Sequence, residues 1–144
     1  MNYSIILYVI GWVLNFEAAF MVPACVTGLI YREPETSALA AVALFCLAVG
    51  LLITKKKPRS MSLYAKEGFV TVALCWVVLS ALGALPFVIS RVIPSYVDAL
   101  FEVVSGFTTT GSSILPEVEH MPHCLLFWRS FTHWIGGMGV LVFV

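Results

Sequence analysis

Phe107 to Ser113 reads Phe-Thr-Thr-Thr-Gly-Ser-Ser, the stretch of this chain whose residue types could do chemistry through the main chain itself. Three adjacent β-branched threonines favour an extended backbone. An extended segment with no sheet partner leaves its carbonyl oxygens free to coordinate a dehydrated cation. Gly111 adds backbone freedom that threonine lacks, including positive φ. Together these residues can turn the carbonyls of Thr108, Thr109, Thr110 and Gly111 toward one axis, so that main-chain oxygens replace an ion's water shell. Taken alone, the seven residues also read as a Thr/Ser-rich loop in solvent. Their surroundings decide between the two.

A short helical stretch, Ser95 to Gly106, precedes them, and apolar runs long enough to cross a bilayer lie on either side. About 12 helical residues rise ~18 Å, whereas a hydrocarbon core is ~30 Å thick. Such a helix enters the membrane without crossing it. Irregular backbone at that depth survives only where protein encloses it or where it lines a watery cavity, so the polar run faces a pore and the arrangement is a re-entrant filter. The helix would direct its partially negative C-terminal end at the bound cation. Pro94, Ser95 and Asp98 mark its start: Ser95 caps and Asp98 takes the place of a capping-box acid.

Composition supports this setting. Of 144 residues 60% are hydrophobic and 11% charged, with a mean hydropathy of +0.98. Soluble domains carry ~25% charged residues, so the sequence is that of an integral membrane protein. Its formal net charge of zero says nothing about partners. Cys25, Cys46, Cys75 and Cys124 form no C-x-x-C pair and read as small apolar packing residues. The first apolar run lacks a basic leader and is long for a signal peptide, which makes it a retained span.

Taken in order, the first span covers about residues 5–30 and contains Asn15, Glu17 and Pro23. A carboxylate at that depth is either functional or a structural tie, and a tie to a neighbouring helix is the expectation. Pro23 is expected to bend the helix. After a polar turn at 31–36, the second span covers about 37–54 and ends at Lys55-Lys56-Lys57-Pro58-Arg59, with Lys66 soon after. This densest basic cluster belongs in the cytoplasm by the positive-inside rule. A nucleic-acid or lipid-headgroup site is the alternative; orientation needs fewer assumptions, and no nucleic-acid partner is expected.

That orientation puts the N-terminus in the cytoplasm and the third span, about 68–89, running outward with Gly83 and Pro86 near its far end. Residues 91–94 then form an external elbow leading into the short helix. Residues 114–123 read as an external loop whose Glu117 and Glu119 could concentrate cations; His120 and His123 lack the partners of a metal site. The last span, about 124–144, carries Arg129, Ser130, Thr132 and His133 with Gly136, Gly137 and Gly139, the glycines suited to close packing. No basic flank follows Val144, so a longer polypeptide is expected. The division is therefore an N-terminal transmembrane hairpin over 1–60 and one pore repeat over 61–144, comprising span, pore helix 95–106, filter 107–113 and span. A carbonyl ring needs about four such units.

Asp98-Ala99-Leu100-Phe101-Glu102, Ser105-Gly106-Phe107-Thr108-Thr109-Thr110-Gly111, Trp128-Arg129-Ser130 and Trp134-Ile135-Gly136-Gly137-Met138-Gly139 follow one another in this order. Together they resemble the first pore repeat of the Trk/Ktr/HKT superfamily of potassium transporters, specifically the Trk-type membrane subunit. The likeness spans about residues 68–144, and the two preceding helices agree with that subtype's extra hairpin. It implies an all-α membrane protein with four non-identical repeats around one pore, embedded in membrane lipid as a homodimer. Its gating would be controlled by a cytosolic ring of nucleotide-binding regulatory subunits. It also implies K⁺ as the transported ion, no cofactor and no catalysis. By the same likeness the filter carbonyls are those of Thr109, Thr110 and Gly111, with Thr108 adjoining. Plant relatives with serine in place of this glycine go with sodium selectivity, so Gly111 fits potassium. Ser112 and Ser113 depart mildly from the alanine and threonine common there. Two charges at membrane depth, Glu102 on the pore helix and Arg129 on the following span, call for partners, and an Arg–carboxylate bridge between them would brace the filter without touching the ion. The competing functions are a small homotetrameric cation channel and a haem-binding anchor of an oxidoreductase, the latter wanting paired histidines within facing helices.

Overall fold

The computed structural model describes residues 3–58 and 64–143, with side chains as far as Gly139. Arg59, the 60/61 division and Val144 lie outside the described residues. The chain is helical throughout its regular elements: α1 (Tyr3–Tyr31), α2 (Thr36–Thr54), α3 (Ala65–Gly83), α4 (Leu85–Ile89), α5 (Tyr96–Phe107) and α6 (His123–Phe143). Among the described residues, three stretches are long and apolar enough to cross a bilayer, namely Tyr3–Tyr31, Thr36–Thr54 and Ala65–Ile89. The 12-residue α5 is not, as its length requires.

The hairpin of α1 and α2 closes through small residues. A Cβ on Gly50 would lie 2.8 Å from the Gly11 main-chain oxygen, and one on Gly11 would lie 2.9 Å from the Ile53 side chain. Glycines at these positions let the two backbones approach as membrane helices do where no hydrophobic force separates lipid from protein. α1 continues through Pro23, where Thr27 Oγ1 donates to the Pro23 carbonyl at 3.0 Å. The expected third span is split. Ala84 separates α3 from α4, and Pro86, which has no N–H to give, sits in the first turn of α4.

Two apolar clusters hold the bundle. The larger one joins Met21, Leu39, Phe87, Val103, Phe107, Leu125 and Trp128, so every element but α3 contributes a buried apolar side chain to it, and Trp76 and Leu79 of α3 pack against it. The smaller gathers Ile5, Ile6, Ile10 and Leu14 at the start of α1. Trp128 is fully buried and donates its Nε1–H to the Gly83 carbonyl at 3.1 Å, joining α6 to the end of α3.

Away from the start of α1, the α1–α2 turn caps α6. Glu33 accepts from the amides of His123 at 2.7 Å and Cys124 at 2.9 Å, and its carboxylate lies 2.8 Å from His123 Nδ1. The Tyr31 ring stacks on His123 at 4.0 Å. A carboxylate at a helix start satisfies donors that have no partner within the helix. Partial burial alone would raise the Glu33 pKa, but the Cys124 and His123 amides with the His123 ring outweigh it and lower the value from 4.5 to about 2. Because the folded value lies below the unfolded one, the contact stabilises the fold above pH 4.5 and is lost as pH falls through about 2. The melting temperature of the parent should therefore exceed that of Glu33→Gln at neutral pH, with the gap closing as pH drops from 4.5 toward about 2.

Candidate functional site

α5 begins where Ser95, in an extended conformation, accepts from the Asp98 amide at 3.4 Å. Tyr96 OH donates to the Ala81 carbonyl at 3.0 Å and ties that start to α3. The helix ends at Phe107, whose buried ring meets Trp76 of α3 edge-on with centroids 5.9 Å apart.

Beyond Phe107 the backbone does not form the extended strand that three threonines favour. Thr108 sits at φ −85°, ψ 1°, Thr109 at φ +56° and Gly111 at φ +78°. The end of the helix overrides β-branched preference, which depends on context. Thr109 N–H donates to Gly106 O at 2.9 Å and Thr110 N–H to Ser105 O at 2.9 Å. This pair of backward bonds is a Schellman closure, with threonine at the left-handed position where glycine is usual. A β-branched residue there is strained by roughly 1–3 kcal/mol and persists only where its surroundings impose it.

The closure has a direct chemical consequence. Thr108 N–H bonds Val104 O at 2.9 Å and Gly111 N–H bonds Ser105 O at 3.4 Å, so four successive amides are spent on the helix end. Thr108 O accepts from the Thr109 hydroxyl at 2.7 Å. The carbonyls of Thr109, Thr110 and Gly111 accept no hydrogen bond among the described residues, and all three residues are exposed. Nothing lies within 4 Å of where a Gly111 Cβ would be. Three unclaimed carbonyl oxygens on successive exposed residues are hard donors of the kind that suit a cation.

Behind those residues stands Glu102, 1% exposed. Arg129 Nε donates to its Oε1. Ser113 Oγ lies 3.0 Å from both carboxylate oxygens, and the Ile114 amide donates to Oε2 at 3.1 Å. One carboxylate thus joins α5, α6 and the far end of the 107–113 segment. Ser105 Oγ adds a bond to Ser112 O at 2.6 Å. The Glu102–Arg129 pair expected from the sequence is brought together, with Arg129 in the second turn of α6.

α6 presents Arg129, Thr132 and Gly136 on one face, the i, i+3, i+7 spacing of a helical stripe. A Cβ on Gly106 would lie 2.2 Å from Thr132 Oγ1, and one on Gly136 would lie 2.2 Å from Phe107 O. Both glycines are required where the end of α5 seats on α6. The roles of Ser105, Ser113 and Thr132 escaped sequence reasoning. For Ser105 and Thr132, the available signal was small residues at helical spacing on two successive segments.

Other sequence candidates lie elsewhere. Glu17 is 2% exposed but makes no tie among the described residues: neither carboxylate oxygen has a hydrogen-bond partner there. Its Oε1 is 3.3 Å from where a Gly83 Cβ would be, and that same point faces Val103 and Phe107, which offer no side-chain donor. His120 pairs with Glu117 at 3.0 Å on the surface, and His133 Nδ1 lies 3.0 Å from Arg129 O. Among the described residues no group of three or more His, Cys, Asp or Glu could hold a metal ion.

Residues 35–144 match the family model described as TrkH, cation transport protein. The Trk system potassium uptake protein TrkH of Escherichia coli is 37% identical over 146 residues, covering 99% of this chain and 30% of that protein. An uncharacterised cation transporter of Methanocaldococcus jannaschii is 36% identical over 138 residues, covering 95% of this chain and 29% of that protein. The crystal structure of the potassium transporter TrkH from Vibrio parahaemolyticus superposes with a TM-score of 0.91 at 31% identity, covering 99% of this chain and 31% of that one. The chain thus spans about three tenths of the length of these relatives. With a family match over 110 of 144 residues and a backbone that superposes almost throughout, this multi-pass membrane chain belongs to the TrkH family of cation transport proteins.

Proposed function

We propose that this chain forms the N-terminal hairpin, residues 1–60, and the first pore repeat, residues 61–144, of a potassium uptake system. Ions would pass a filter built in part from the Thr109, Thr110 and Gly111 carbonyls, with Thr108 adjoining. The observation that carries the reading is that four amides turn back into α5 while the Thr109, Thr110 and Gly111 carbonyls accept no hydrogen bond among the described residues. The names of the relatives from Escherichia coli and Vibrio parahaemolyticus supply potassium as the ion. The step is permeation and involves no covalent chemistry, so neither an enzyme activity nor a cofactor is proposed.

In this reading Glu102 and Arg129 brace the filter and do not touch the ion. A buried, hydrogen-bonded charge pair is costly to break from one side, which suits a part that must hold its geometry while ions pass. The basic residues Lys55, Lys56 and Lys57 support, by the positive-inside rule, a cytoplasmic N-terminus and α2–α3 connection in an inner, cytoplasmic membrane. The 30% coverage of its relatives is consistent with further repeats completing the ring. The proposed assembly is a homodimer gated by cytosolic nucleotide-binding subunits.

Three variants of the intact protein test this. Gly111→Ser puts an L-residue at φ +78°, a conformation disfavoured by roughly 1–2 kcal/mol, so the carbonyl shifts. The K⁺/Na⁺ uptake ratio should fall about tenfold; an unchanged ratio would contradict the filter assignment. Arg129→Gln leaves Glu102 buried without its cation, so stability should drop by about 3–5 kcal/mol and selectivity should be lost, with partial recovery in Glu102→Gln/Arg129→Gln. Full selective uptake by Arg129→Gln would remove the bracing role.

A further inference from the structure

At the end of the hairpin away from Glu33, a cleft of about 790 Å³ opens between the start of α1 and the end of α2. Leu7, Tyr8, Leu52 and Ile53 form its walls, and Lys56 and Lys57 stand at its rim. Leu7 is 54% and Leu52 64% exposed. Both lysines are exposed, and neither pairs with a carboxylate among the described residues. The Ile53 wall is held against α1, because Gly11 admits Ile53 so closely that a Cβ there would lie 2.9 Å from it.

An apolar track leads away from the cleft along α1. Tyr8, Trp12 and Phe16 recur at four-residue spacing with ring centroids 6.5 and 6.3 Å apart, and Trp12 and Phe16 are 47% and 56% exposed. Eight residues of helix rise ~12 Å, a substantial part of one leaflet's hydrocarbon. Cationic rim, apolar walls and aromatic track thus stand in the order of a phospholipid's own parts.

We propose that this cleft binds an anionic phospholipid, with its headgroup phosphate between Lys56 and Lys57 and an acyl chain along Leu7, Leu52 and Trp12. Free phosphate would use the rim and gain nothing from the walls. A zwitterionic lipid would use the walls and gain little from the lysines. Only an anionic lipid satisfies both, and basic side chains at a membrane surface attract such lipids by about fivefold per lysine. The proposal is independent of the filter reading, since it concerns the hairpin alone.

The test is binding of phosphatidylglycerol to the intact detergent-solubilised protein, read by native mass spectrometry, for the parent, Lys56→Gln/Lys57→Gln and Lys66→Gln. Lys66 is exposed but does not line the cleft, so it reports general surface charge. The double variant should bind phosphatidylglycerol at least tenfold more weakly, Lys66→Gln within about twofold of the parent, and phosphatidylcholine should bind the parent as weakly as phosphatidylglycerol binds the double variant. Millimolar inorganic phosphate should not displace the lipid. Unchanged binding by the double variant, an equal loss in Lys66→Gln, or displacement by phosphate would overturn the proposal; the first would be the result if other parts of the intact protein cover the cleft.

Discussion

A helix that stops partway through a membrane must dispose of its last carbonyls, and here the next residues in the chain dispose of them. Val104, Ser105 and Gly106 accept the amides of Thr108 to Gly111. Each bond serves two needs at once. It satisfies carbonyls that have no partner within the helix, and it turns the N–H groups of the segment inward while the Thr109 and Thr110 carbonyls of the same peptide units are left for another ligand. The left-handed Thr109 belongs to this geometry, since two backward bonds cannot close around a right-handed residue there.

The surrounding packing makes the closure unique. Glu102 holds the outgoing end of the segment through Ser113 and Ile114, and Arg129 answers its charge from α6. Gly106 and Gly136 remove the side chains that would separate α5 from α6, while Trp76 and Phe107 close the side toward α3. A buried ionic network holds one arrangement only when every member is satisfied, and the carboxylate here has a partner for each oxygen. Glu17, also buried within a span, has no hydrogen-bond partner among the described residues, and it lies outside this network.

Much of this was legible in the residues. Span lengths follow from hydrophobic runs, the short α5 from Pro94 and Ser95, and the Glu102–Arg129 contact from the cost of isolated charge. The backbone of Thr108 to Thr110 departs from expectation because intrinsic preference speaks for a strand, whereas the last carbonyls of α5 take the following amides and close the helix. The Glu33 cap on α6 joins residues 90 and 91 positions apart, a distance over which no periodicity speaks. Gly136 was recognisable as a close-packing glycine, but not its partner, the Phe107 carbonyl.

The most direct measurement is the position of a heavy monovalent cation in crystals of the intact protein grown with Rb⁺, located by its anomalous signal. The account predicts a peak within ~3 Å of the Thr109 to Gly111 carbonyls, at potassium-like coordination by main-chain oxygens. An ion held instead by side-chain carboxylates elsewhere in the bundle, with those three carbonyls hydrogen-bonded to protein, would contradict it.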